Sequence, residues 1–343
     1  MADRPPRPSW ATPMRRFTVT IVVLVSAGLA LAAASLLVGG ASLADERTRA
    51  VLIELRANRT ACAALAGAAL AVAGCLMQGL FRNPLASPSV LGTTAGAALG
   101  GQAVLLAHGA VAAALPAWLL PEMALPLGCM LGAGASLALL LAISGRATGP
   151  IALLLAGFVL GSLLTSVGAC LTALAQDAWE LGRAMVRFTL GGVDGKGGRH
   201  VLLALPLVCA GAIAAWGWGR PLDLLLAGED EARALGVDVR ATRLWTLVWV
   251  AVLVAAATAI GGGVPFVGLV VPHALRPFVG HAHRRLIPAA VLAGAAFLIA
   301  CDLAARLAPL ATGGGELPLG VVTGLVGAPV FLALLVRSRR EAW

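Results

Sequence analysis

Long apolar runs, each broken by arginines, prolines or glycine-rich turns, recur along the chain. Their lengths match a membrane rather than a soluble core. A helix rises 1.5 Å per residue, so about 20 apolar residues cross the hydrocarbon layer. By that measure ten spans are expected, at residues 17–39, 59–81, 91–108, 122–144, 150–174, 200–218, 242–260, 265–280, 288–308 and 317–337. The third continues apolar through Pro116 to Leu120, and the eighth is short and opens on Val264-Pro265. The first follows Arg4, Arg7, Arg15 and Arg16 and precedes Ser42-Leu43-Ala44, an arrangement that resembles a cleaved leader. Its run from Phe17 to Val38 is 22 residues, longer than the roughly 7–15 of a leader, and reads as a retained span. The expected fold is all-α, a polytopic bundle of about ten transmembrane helices over 17–337, with tails at 1–16 and 338–343.

Composition agrees. Hydrophobic residues make up 59% of 343 and charged residues 12%, against about 25% charged in soluble domains. Ten spans fill the length, so a fused nucleotide-hydrolysing domain is excluded. The net charge of +9 raises nucleic-acid binding, but the arginines lie between apolar runs rather than along one face. Membrane orientation accounts for them better. With both termini inside, inner segments carry 16 Lys/Arg and outer loops eight, which places both termini in the cytoplasm. The six cysteines fall in apolar stretches without C-x-x-C spacing and read as packing residues. Glycines four apart (Gly92, Gly96 and Gly100; Gly128 and Gly132; Gly157 and Gly161; Gly320 and Gly324) predict close helix contacts in lipid.

Candidate chemistry is sparse. The run Gly191-Gly192-Val193-Asp194-Gly195-Lys196-Gly197 suggests a phosphate loop, but Leu190 stands where the first glycine belongs and Gly197 where Ser or Thr belongs. It reads as a flexible outer loop. His273, His281 and His283 lie among arginines without carboxylates, a poor metal set, so no metal site is assigned. Asp302 and Arg306 sit within span nine at the i, i+4 spacing of a helical ion pair. No nucleophile–base or paired-carboxylate constellation has an aqueous setting, so an enzyme is not expected. The loop Arg220–Arg243 is more informative. Pro221 to Ala227 can form a short helix stopped by Gly228, and Glu229-Asp230-Glu231 can start a second that Gly236 ends. Two such turns form a rigid cytoplasmic knob suited to docking a soluble partner.

Four ordered strings resemble the permease family of iron-chelate, haem and cobalamin ABC importers (FecCD-like, type II importers). They are Met77-Gln78-Gly79-Leu80-Phe81-Arg82-Asn83-Pro84-Leu85-Ala86 and the loop from Gly228 to Val237. Phe266-Val267-Gly268-Leu269-Val270-Val271-Pro272-His273 and Glu316-Leu317-Pro318-Leu319-Gly320 complete the set. The resemblance implies ten helices and a homodimer, or a heterodimer with a similar permease. It also implies two separate ATPase subunits that hold ATP and Mg, an extracytoplasmic substrate-binding protein, and no cofactor in this subunit. By the same resemblance Gly228, Glu229, Asp230, Glu231, Ala232, Arg233, Leu235 and Gly236 form the ATPase-coupling loop. Arg56, Arg59 and Arg306 match outer arginines that dock the binding protein, and Asn58 replaces a usual proline. Gln78, Asn83, Pro84, Gly268, Pro272 and His273 are candidates for the translocation path. The implied function is import of a ferric siderophore, haem or corrinoid across the inner membrane by alternating access. An ion-coupled secondary transporter is the alternative and would need more protonatable groups at mid-membrane; a structural or signalling membrane protein is a third class.

Overall fold

In the computed structural model each of the ten expected spans coincides with a helix. The structure describes residues 11–39, 46–107, 121–144, 150–312 and 315–341. The helices are α1 (Ala11–Leu37), α2 (Glu46–Leu80), α3 (Thr93–Leu106), α4 (Ala124–Ser144), α5 (Pro150–Leu174), α6 (Trp179–Leu190) and α7 (Gly198–Gly217). Six more follow: α8 (Gly219–Ala227), α9 (Glu229–Ala234), α10 (Val239–Gly261), α11 (Val267–Val279), α12 (His283–Thr312) and α13 (Leu319–Glu341). No strand occurs among the described residues. Seven of these helices have the length and composition to cross a membrane, while α11 and the apolar part of α13 are shorter. The extension of the third span to Leu120 and the tail at residues 1–10 lie outside the described residues.

Burial separates the helices by role. Of the most apolar 18-residue window, 83% is buried in α2 and 72% in α10, but 6% in α1. Helix α2 is thus the axis of the bundle and α1 its exposed flank. The axis tolerates close neighbours because glycine faces glycine. A Cβ on Gly74 would lie 1.8 Å from the Gly268 carbonyl oxygen of α11, and one on Gly67 would lie 2.1 Å from that of Gly294 in α12. Gly67 and Gly74 are seven apart, one heptad, so both point to the same side of α2. The four-residue stripes do the same between α3 and α4: Gly100 meets Gly128, and Gly96 meets Gly132. Gly324 departs from that expectation, since a side chain there would meet open space. Spacing alone does not tell which face of α13 has a neighbour.

Two features depart from the sequence reading. The outer stretch before residue 191 contains α6, an amphipathic helix whose Gly182 and Met185 are buried while Trp179, Val186 and Leu190 are exposed. Its Arg183 lies 5.5 Å from the Trp179 ring, an aromatic–basic pair suited to a membrane–water boundary. The Gly191–Gly197 segment is not a loose loop either. Gly192 N–H donates to Gly261 O at 2.9 Å, and Leu319 N–H donates to Gly191 O at 2.9 Å. These bonds pin it between the end of α10 and the start of α13. The two short helices of the Arg220–Arg243 loop form as expected, α8 beginning two residues earlier at Gly219.

Candidate functional site

Charged side chains gather at two ends of the bundle, with a hydroxyl-lined cavity between them. At one end, the last turn of α1 leaves carbonyls that its own helix cannot satisfy. Arginines from two other helices satisfy them. Arg56 of α2 donates from Nη1 to Leu36 O and Leu37 O, each at 3.0 Å. Arg306 of α12 donates to Ser35 O at 2.9 Å, to Val38 O at 3.2 Å, and to the Ser35 hydroxyl. Both guanidiniums are also placed where a helix C-terminus favours positive charge. Asp302, one turn before Arg306, accepts from it at 2.9 Å and from Arg59 of α2 at 2.9–3.2 Å. Arg59 reaches onward to Glu316 at 2.8 Å.

The expected Asp302–Arg306 pair therefore exists as part of a four-member chain, Arg306–Asp302–Arg59–Glu316. Of the three arginines read as docking residues, Arg59 and Arg306 belong to it and Arg56 stands beside it. Arg56 and Arg306 are buried and hold the end of α1. Arg59 is 17% exposed and Glu316 is 45% exposed. These two, with Arg187, Asp194 and Asp302, line an outer cavity of about 430 Å³. Lys196, the single lysine of the chain, lies in the pinned segment beside it, and burial holds its pKa below the usual lysine value despite nearby Asp194.

At the opposite end the knob is organised by Glu229. Its carboxylate accepts from Arg243 of α10 at 2.8 Å and from Arg233 of α9 at 3.0 Å, and Arg82 approaches to 3.8 Å from the turn after α2. Arg233 also bonds Asp230 at 2.7 Å. Gly228 has φ 152°, a region closed to L side chains, which makes the sharp joint between α8 and α9. Ala232 is buried against the bundle, Glu231 and Gly236 are exposed, and Leu235 is 65% exposed at the tip. Asp223 of α8 accepts from the His283 N–H at 3.0 Å, and its Oδ1 lies 2.5 Å from Nδ1 of that ring. The His283 ring is fully buried against Gly79 of α2. The histidine trio is thereby split: His283 serves the α8–α12 junction, and among the described residues no group of His, Cys, Asp and Glu gathers to hold a metal ion.

Between these ends a cavity of about 510 Å³ is lined by Ser87, Ser89, Thr94, Thr165 and Thr189, together with the Gly263–Leu269 segment. None of its lining side chains is charged. Of the translocation-path candidates, Gly268 lines it directly. Gln78 lies outside it, donating to Leu269 O at 3.3 Å and accepting from Arg276 at 3.0 Å. Asn83 accepts from Leu85 N–H at 2.9 Å and, with Pro84, forms the turn that leads to Ser87. Pro272 and His273 belong to the middle of α11 rather than to the lining. The five hydroxyl residues went unread in the sequence because the Ser87–Ser89 turn, α3, α5 and α6 contribute them with no common spacing. Glu316 and Asp223 carried no signal of their partners, which lie 257 and 60 residues away along the chain.

Comparison with known proteins gives consistent relatives. The FecCD transport family model matches residues 17–337. The chain is 39% identical over 291 residues to the Fe(3+) dicitrate transport system permease protein FecD of Escherichia coli, covering 84% of this chain and 86% of that one. It is 36% identical over 297 residues to the hemin transport system permease protein HmuU of Yersinia pestis, covering 85% and 84%. It is 40% identical over 293 residues to the vitamin B12 import system permease protein BtuC of Vibrio cholerae, covering 83% and 82%. Among solved structures, a transporter assigned to the metal-chelate type of ABC transporter, in an inward-facing conformation, superposes with a TM-score of 0.81 at 28% identity. That match covers 93% of this chain and 99% of the other.

Proposed function

The chain belongs to the FecCD transport family, and from that premise we propose that it is the membrane-spanning permease of an ATP-driven importer for an iron chelate, haem or corrinoid. The permease makes and breaks no covalent bond. Two permease subunits enclose the path, two ATPase subunits hold ATP and Mg on the cytoplasmic side, and an extracytoplasmic binding protein delivers the cargo. Both termini lie in the cytoplasm of a bacterial inner membrane, in keeping with the arginine bias.

The observation that carries the reading is the build of the cytoplasmic knob. It leaves Leu235 and Leu226 exposed, and Asp230, Glu231 and Arg233 of α9 are exposed as well. It is also tied to the spans that must move. Glu229 links it to α10 and to the end of α2, and Asp223 links it to the buried first residue of α12. A push on α8 and α9 thus reaches three central helices. At the outer end, Arg59 and Glu316 are the exposed members of the charge chain, so docking of the binding protein falls to Arg59, with Arg56 and Arg306 holding α1 in support. The uncharged, hydroxyl-lined cavity suits a path that a bulky chelate crosses without being retained.

Reconstitution in vesicles with the partner ATPase and binding protein tests this directly. Leu235→Asp should abolish ATPase association and ATP-dependent uptake while leaving the thermal unfolding of the purified chain unchanged. Normal uptake by that variant would sink the coupling assignment.

A further inference from the structure

One open cleft is not part of any site described so far. It lies at the cytoplasmic end of α1, where Arg15, Arg16, Val19 and Thr20 face Pro277 and Phe278 at the end of α11, and it encloses about 590 Å³. Its two ends differ in chemistry. Arg15 and Arg16 form a cationic mouth, and among the described residues no carboxylate engages either of them. Below them Val19 and Phe278, both more than half exposed, form an apolar wall. The cleft opens beside α1, the least buried of the long helices, so this chain leaves its open side uncovered. The adjoining turn adds Arg284 and Arg285 to the same membrane face.

We propose that this cleft binds one anionic phospholipid of the cytoplasmic leaflet. The headgroup phosphate lies between Arg15 and Arg16, and an acyl chain runs along Val19 and Phe278. Basic pockets between helices on the cytoplasmic side suit anionic headgroups, and an aromatic ring is favoured at headgroup depth. Other occupants fit the chemistry less well. The preceding residues 1–10 carry Arg4 and Arg7 against a single Asp3, so that segment repels the mouth rather than filling it. A second copy meeting this face about a two-fold axis would set Arg15 and Arg16 against their own kind. A zwitterionic lipid brings its own cation to the arginines and gains less.

The test is native mass spectrometry of the full chain, solubilised in mild detergent and titrated with phosphatidylglycerol or phosphatidylcholine. One phosphatidylglycerol should be retained in preference to phosphatidylcholine, and inorganic phosphate should not displace it. Arg15→Gln with Arg16→Gln should weaken retention by about 30-fold, taking a factor of about 5 per arginine. Arg15→Lys with Arg16→Lys should keep most of it, which separates charge from folding. Val19→Trp, which fills the cleft while leaving both charges, should also expel the lipid. Equal retention of the two lipids, or unchanged retention in the Gln variant, overturns the proposal. Loss of a dimer in Val19→Trp would overturn it in favour of a second copy. The readout requires no transport, so it stands apart from the importer reading.

Discussion

The charge cluster at the C-terminal end of α1 (the outer cluster of the proposed topology) and the one in the α8–α9 knob use the same groups, guanidiniums around a carboxylate, to opposite ends. Asp302 is 2% exposed and sits between Arg59 and Arg306, which are 17% and 3% exposed. Glu229 is 27% exposed and its partner Arg233 is 55% exposed. Removing one member of a buried pair strands the other in a medium that cannot solvate it, whereas water takes over at once in the exposed cluster. The outer cluster is therefore architectural, holding the end of α1 to α2 and α12. The knob cluster is cheap to rearrange, as its proposed coupling role requires.

The contrast can be broken at several points. The largest effect is expected for Asp302→Ala, which leaves two guanidiniums facing each other and should cost about 3–5 kcal/mol. A steep fall in the thermal unfolding temperature of the purified chain would report it, and an unchanged transition would refute the architectural role. Arg306→Lys should cost about 1–3 kcal/mol, because one ammonium cannot serve Asp302, Ser35 O and Val38 O in the planar fork that arginine provides. Faster amide exchange at the end of α1 would locate that loss. Glu229→Gln should change stability by under about 1 kcal/mol yet lower ATP-driven uptake in the reconstituted system. Matching falls in stability and uptake would erase the distinction between the two ends. High salt should mimic Glu229→Gln in coupling assays while leaving the outer cluster intact, since screening acts on exposed pairs.

The smallest effect concerns Lys196. Burial lowers its pKa in the folded chain from 10.5, so below that lowered value the folded state carries a charge it disfavours. As pH rises through the folded value the folded chain sheds this proton first, and stability rises until the unfolded value is reached. Lys196→Met should remove this alkaline rise, seen by comparing unfolding midpoints of the two proteins across that window.

Much of this architecture was readable from one dimension. Helices in lipid satisfy their own backbone, so apolar run length alone located ten spans. The joint at Gly228 and the acidic start of α9 were equally local, and both formed. Helix α6 escaped because Arg183 and Arg187, which lie on its exposed side, break its apolar residues into runs too short to stand out along the sequence. The pinning of Gly191 and Gly192 escaped because their partners, Leu319 and Gly261, are supplied by other elements.

The same division holds for the site. Local spacing was enough to pair Asp302 with Arg306 and to mark the knob. It could not show that Arg56 and Arg306 would be consumed by the carbonyls of α1, nor that Arg59 would lean on Glu316. Periodicity, glycine placement and capping are interactions between near neighbours, and the order of residues encodes them outright. Which arginine is buried, which hydroxyls share a cavity, and which face of α13 meets a neighbour depend on helices brought together from distant parts of the chain. Those outcomes were settled by packing.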